Sequence, residues 1–117
     1  MAQHIIVIPS LKPDSRLVEL IADLKEKGFQ QIVVVDDGSG PAYRHFFDEC
    51  EALGCTLLTH EKNRGKGAAL KTAAAYIRSH FGSDADMITA DADGQHLPED
   101  ILRVAQDMEN VDFYLDV

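Results

Sequence analysis

No stretch of this sequence stays apolar for the roughly 20 residues that a membrane-spanning helix needs, so no bilayer span is read from it. Its first residues run straight into a strand-like segment, without the charged region, apolar stretch and cleavage site of a secretory leader. The expected setting is therefore cytoplasmic, with a peripheral place at the cytoplasmic membrane face for a longer parent. Basic residues are few: Lys and Arg number 11 against 20 Asp and Glu, for a formal charge of −9. That balance excludes a general nucleic-acid binder, which needs a positive counter-surface. It still allows a small anionic ligand where a metal and local backbone N–H groups supply the positive field. The only cysteines are Cys50 and Cys55, spaced neither as a redox pair nor as a zinc half-site. Buried, reduced thiols are the expectation. Repeats, low-complexity tracts and an interdomain linker are all missing. With 117 residues, 45% of them apolar, one domain over 1–117 with a modest core is expected.

What is present is a regular alternation of short apolar runs with longer amphipathic stretches. Strands are expected at His4–Pro9, Gln31–Asp36, Cys55–Thr59 and Asp86–Ala90, with a further one at Val111–Val117. Helices are expected over Ser15–Lys27, where Leu17, Leu20, Ile21 and Leu24 fall at helical spacing, over Pro41–Leu53, from Gly65 to about His80, and from Pro98 to about Met108. Pro41 and Pro98 suit first helical turns, and Glu99 and Asp100 suit the positive end of a helix dipole. Strands that alternate with helices in this way predict an α/β fold, three layers deep, around a mostly parallel sheet. The strands are apolar on both faces, as such a sheet requires. Ligands of these sheets bind beyond the carboxyl ends of the strands. Four polar clusters sit at those ends: Pro9-Ser10, Asp36-Asp37-Gly38-Ser39, His60-Glu61-Lys62-Asn63 and Asp91-Ala92-Asp93.

Each cluster has a chemistry and a plainer alternative. A carboxylate at Asp36 or Asp37 can accept from a ribose hydroxyl or a base N–H; equally, the segment can be a turn that caps the next helix. In Asn63-Arg64-Gly65-Lys66-Gly67-Ala68, glycines and two cations open a helix whose free N–H groups attract phosphate. Lys66 precedes Gly67 rather than Ser or Thr, so this is not a Walker A loop, and the glycines can also serve tight helix–sheet packing. Asp91-Ala92-Asp93-Gly94-Gln95-His96 is the sharpest signal. Hard cations such as Mg²⁺ or Mn²⁺ take oxygen ligands, commonly one or two carboxylates with substrate phosphate oxygens. Asp93 is the direct metal candidate, Gln95 can add a carbonyl oxygen, and Asp91 can hold ribose or a water of the metal. His96 is left open between ligand, phosphate contact and turn residue. His4, His45, His60 and His80 receive no role.

Val7-Ile8-Pro9, Val34-Val35-Asp36-Asp37-Gly38-Ser39, Asn63-Arg64-Gly65-Lys66-Gly67-Ala68-Ala69 and Asp91-Ala92-Asp93-Gly94-Gln95-His96, with Pro98-Glu99, occur in this order. Together they resemble the family 2 glycosyltransferases, and the last extension resembles the dolichyl- and polyprenyl-phosphate branch. The likeness covers about residues 4–105. It implies the A-type glycosyltransferase (nucleotide-diphospho-sugar transferase) fold, apparently truncated to its nucleotide-binding half. It also implies a UDP- or GDP-sugar donor, inversion at the anomeric carbon, and a place in glycan biosynthesis with a lipid phosphate as acceptor. By the same resemblance Pro9, Val35, Asp36 and Asp37 lie by the base and ribose, and Lys66 near the nucleotide. Asp91 and Ala92 lie by the ribose and phosphates. Asp93 and Gln95, with Asp91, hold Mg²⁺ or Mn²⁺, and Asp91 and Asp93 carry the catalytic role. Where many relatives place an aromatic and then Asn or Glu after the proline, this chain has Ser10-Leu11-Lys12-Pro13-Asp14. A non-catalytic, receiver-like α/β domain is the alternative of another class, and a sheet left partly uncovered keeps a homodimer open.

Overall fold

In the computed structural model, residues 3–82, 85–90 and 102–103 are described. β1 (Gln3–Ser10) leads through α1 (Ser15–Glu26) to β2 (Gln31–Asp37). A single 3₁₀ turn, Pro41–Tyr43, then runs into α2 (Arg44–Ala52), followed by β3 (Thr56–His60), α3 (Lys66–Phe81), β4 (Ala85–Thr89) and β5 (Leu102–Arg103). The strands form one sheet in the order β3-β2-β1-β4-β5. β1 pairs in parallel with both β2 and β4, and β2 with β3. A receiver domain would place β3 beside β1, in the order 2-1-3-4-5. Here β3 lies outside β2, which removes the receiver-like architecture.

Period-2 alternation divides the core between the two faces of the sheet. Ile6, Ile8, Ile32 and Val34 pack with Leu17, Ile21 and Leu24 of α1 and with Phe47 and Cys50 of α2. Ile5, Val7, Val33 and Val35 pack on the other face against Ala69, Leu70, Ala73, Ala74 and Ile77 of α3. These are the three layers. The exposed ion pairs of Arg44 with Asp48 and Glu51 contribute only about 0.5 kcal/mol apiece, so the apolar layers dominate stability. No helix among the described residues is long and apolar enough to cross a membrane.

Local chemistry sets the ends of the helices. Asp14 caps α1, its carboxylate accepting the Arg16 N–H at 2.9 Å. The helix expected over Pro41–Leu53 begins instead as a 3₁₀ turn, a common form of a helix N-terminus, with Pro41 at its start. Cys50 and Cys55 are free and buried. Burial pushes the Cys50 thiol up to about 12, helped by the neighbouring Cys55 and Glu49, and burial pushes Cys55 up to about 11.

One expectation is corrected outright. A helix from Pro98 to about Met108 would include Leu102 and Arg103, but these two residues form β5. They pair antiparallel with β4, Thr89 opposite Leu102 and Ile88 opposite Arg103. Without that partner the outer edge of β4 would leave its N–H and C=O groups open, and pairing of this kind outweighs a local helical pattern. The remainder of that helix, and the strand expected at Val111–Val117, fall outside the described residues.

Candidate functional site

The parallel strands bring their carboxyl ends to one rim, and the strand order reverses between β1 and β4, the usual place for a ligand crevice. A cleft of about 350 Å³ opens at this rim. Pro9, Ser10 and Leu11 line it from the β1 loop, Asp37 from the end of β2, and Asn63, Gly65 and Lys66 from the start of α3. A second cleft of about 340 Å³ lies at the opposite edge, by His4 and Lys27–Gln31. Size does not separate the two; position and chemistry favour the first.

Asp36 and Asp37 are adjacent in sequence and differ in task. Asp36, on one side of the strand, accepts the Ser39 N–H at 2.9 Å and so closes its own turn. The Ser39 hydroxyl in turn accepts the Lys12 N–H at 2.8 Å and ties the β1 loop down. Lys12 sits at φ +50°, unusual for a residue with a side chain. Asp37 reaches across to the β3–α3 junction. Its Oδ1 accepts the Arg64 N–H at 2.8 Å, and its Oδ2 accepts the Gly65 N–H at 2.9 Å. Gly65 shares that N–H with Asn63 Oδ1 at 3.0 Å. His60 Nδ1 lies 2.9 Å from Asp37 Oδ1, and His60 Nε2 lies 2.8 Å from the Thr72 hydroxyl on α3.

These bonds decide the charge of Asp37. Burial is the largest single influence and opposes ionisation, but the Arg64 N–H, the His60 ring and the Gly65 N–H together outweigh it. The carboxyl is held below its ordinary 3.8. The two loops also touch through backbone. Gly38 has φ +77°, and a Cβ there would stand 2.4 Å from Asn63 N and from the Lys62 carbonyl carbon. Only glycine permits that approach. The start of α3 has Gly65 at its cap and no capping side chain, and the first N–H groups of a helix without such a cap attract anions.

Of the residues singled out in the sequence, Pro9, Asp37 and Lys66 meet at this cleft. Val35 is fully buried against α3, and Asp36 is buried behind the Ser39 turn. Ala90, at the end of β4, donates its N–H to Val7 O at 3.0 Å and ends the described part of this rim. Asp91, Ala92, Asp93, Gln95 and His96 lie outside the described residues. Among the described residues no group of three His, Cys, Asp or Glu converges as a metal site. His60 was given no role by the sequence. Its partner Asp37 lies 23 positions away and becomes its neighbour only through the β2–β3 register, Asp37 opposite His60.

A three-layer sheet of this order, with its cleft at the carboxyl rim, defines the A-type nucleotide-diphospho-sugar transferase fold. A solved structure of glucosyl-3-phosphoglycerate synthase from Mycobacterium tuberculosis, in complex with Mn²⁺, uridine diphosphate and glucosyl-3-phosphoglycerate, shares it. The TM-score is 0.60 at 20% identity, over 79% of this chain and 34% of that one, a likeness of fold. Residues 5–116 match the model of glycosyl transferase family 2, and the chain belongs to that family. An uncharacterized protein of Methanocaldococcus jannaschii is 34% identical over 101 residues, which is 86% of this chain and 40% of the relative. A UDP-N-acetylglucosamine–dolichyl-phosphate N-acetylglucosaminyltransferase of Methanococcus voltae is 28% identical over 120 residues, 90% of this chain and 47% of the relative. The chain thus spans somewhat less than half the length of these curated relatives.

Proposed function

We propose that this chain is the donor-binding part of an inverting glycosyltransferase that uses a UDP- or GDP-sugar and passes the sugar to a lipid phosphate. The observation that carries this reading is the cleft at the carboxyl rim, where Pro9, Asp37 and Lys66 meet beside the uncapped start of α3. The base and ribose lie against Pro9 and Asp37, with Val35 and Asp36 supporting the strand end from behind. The diphosphate lies toward Lys66 and the first turn of α3, where N–H groups favour negative charge.

Asp93 and Gln95, with Asp91, would hold Mg²⁺ or Mn²⁺. Their oxygen donors suit a hard cation, and the solved structure of like fold carries Mn²⁺ together with uridine diphosphate. When bound, such an ion neutralises charge on the departing nucleoside diphosphate. Asp91 and Ala92 would lie by the ribose and phosphates. A lipid phosphate oxygen is already ionised near neutral pH, so this acceptor requires no general base from the chain. The acceptor reading draws on the dolichyl-phosphate substrate in the name of the Methanococcus voltae relative.

A thermal-shift series with UDP-, GDP- and dTDP-sugars, each with and without Mn²⁺, tests this. A donor that binds the folded chain at 100 times its Kd adds about 2.7 kcal/mol of stability. Asp93→Ala is expected to remove the Mn²⁺-dependent part of the shift and leave the unliganded midpoint in place. A shift that survives in Asp93→Ala takes the metal away from Asp93. The absence of a shift with every donor returns the chain to the non-catalytic alternative.

A further inference from the structure

The row Thr72–His60–Asp37 runs from half-buried Thr72 to buried His60 and Asp37, and the donor reading gives no role to its first two members. The side chains of His60 and Asp37 are only 5% and 6% exposed. A carboxylate can only accept, so His60 Nδ1 carries the proton at the 2.9 Å contact with Asp37 Oδ1. In the neutral ring, Nε2 is then an acceptor, and the Thr72 hydroxyl donates to it at 2.8 Å. Asp37 thereby fixes the tautomer of the ring, and α3, through Thr72, its tilt.

The acceptor count on Asp37 follows. Each carboxylate oxygen has two lone pairs. Among the described residues, Oδ1 receives the Arg64 N–H and His60 Nδ1, so both of its positions are taken. Oδ2 receives the Gly65 N–H alone, and that N–H is shared with Asn63. The spare acceptor capacity of Asp37 therefore lies on Oδ2, on a residue that lines the cleft. His60 itself does not line it.

We propose that His60, held by Thr72, is a positioning residue for nucleoside recognition: it occupies Asp37 Oδ1 and so leaves Oδ2 to accept one N–H or O–H from the ligand. This rests on the donor reading above and adds to it a residue that never touches the ligand. A ring that merely filled space at the end of β3 would support every ligand of the cleft alike. A ring that orients Asp37 matters only to ligands that carry a nucleoside.

Calorimetry on the whole chain separates these cases, with UDP, GDP and inorganic pyrophosphate as probes, each with Mn²⁺. His60→Phe keeps a planar ring and loses both nitrogens. It is expected to weaken the preferred nucleotide by about tenfold, the value of one hydrogen bond to a charged group, and to leave pyrophosphate unchanged within about twofold. His60→Asn, whose amide can still donate to Oδ1, is expected to recover most of the loss. Thr72→Val leaves the ring in place and is expected to weaken the nucleotide by about threefold, again without effect on pyrophosphate. It keeps the test decisive if His60→Phe does not fold. The inference is overturned if nucleotide and pyrophosphate weaken in parallel, if neither His60→Phe nor Thr72→Val changes nucleotide affinity, or if His60→Asn recovers nothing. A wild-type chain that binds neither nucleotide overturns the donor reading itself, and this inference with it.

Discussion

The cleft has a fastened side and a lightly held one. On the β2–β3 side, Asp37 gathers the N–H groups of Arg64 and Gly65 and the His60 ring, while Gly38 lies against the Lys62–Asn63 backbone. On the β1 side, the loop is tied by the bond from Lys12 N–H to the Ser39 hydroxyl, and Leu11 remains 44% exposed. Buried polar groups held by several hydrogen bonds make a rigid frame, whereas an exposed apolar side chain on a loop can adapt to what it meets. The fastened side sets the shape of the cleft. The β1 loop, with Ser10 and Leu11 in the wall of the cleft, is its less tightly held side.

Three substitutions break or sharpen the contrast. Gly38→Ala is the most severe: its Cβ meets backbone at 2.4 Å, at φ +77°, so both loops must move. A loss of about 3 kcal/mol or more is expected in urea unfolding. Asp37→Asn comes next, at about 2 kcal/mol at neutral pH, since an amide cannot accept at both positions. Its pH dependence has a definite sign. The folded chain holds Asp37 below 3.8, so the ionised form stabilises the fold above that pH. The contribution is lost as the pH falls through 3.8 and on through the lower folded value. Urea midpoints of wild type and Asp37→Asn are therefore expected to draw together toward pH 3, and a constant gap would contradict the ionised form as the source. Ser39→Ala is the mildest, about 1 kcal/mol, because it releases only the β1 loop. Its hydrogen exchange should quicken at Lys12 and leave Arg64 and Gly65 as they were.

The sheet was legible because each strand is an apolar run ended by a polar cluster, and each helix shows its own period. α1 begins at Ser15 as expected, and β1 to β4 fall within a residue or so of their expected places. Leu102–Arg103 was not legible, because the need of the β4 edge for a partner is a property of the assembled sheet. The division of labour between Asp36 and Asp37 was hidden for a similar reason. Two adjacent carboxylates look alike in sequence, and only strand alternation sends one to Ser39 and the other to the β3–α3 junction. His60 could not be read at all without the register that sets it opposite Asp37. Sequence spacing carries periodicity; it does not carry which strand lies beside which.

Cys50 and Cys55 lie on either side of the turn between α2 and β3, where the Cys55 N–H meets Cys50 O at 3.1 Å. With their thiols raised to about 12 and 11, both resist alkylation while that turn stays closed. Iodoacetamide labelling therefore reports the fraction of time that this turn stands open. Since that turn leads into the strand that ends in His60, the labelling rate reads how firmly this edge of the sheet is seated.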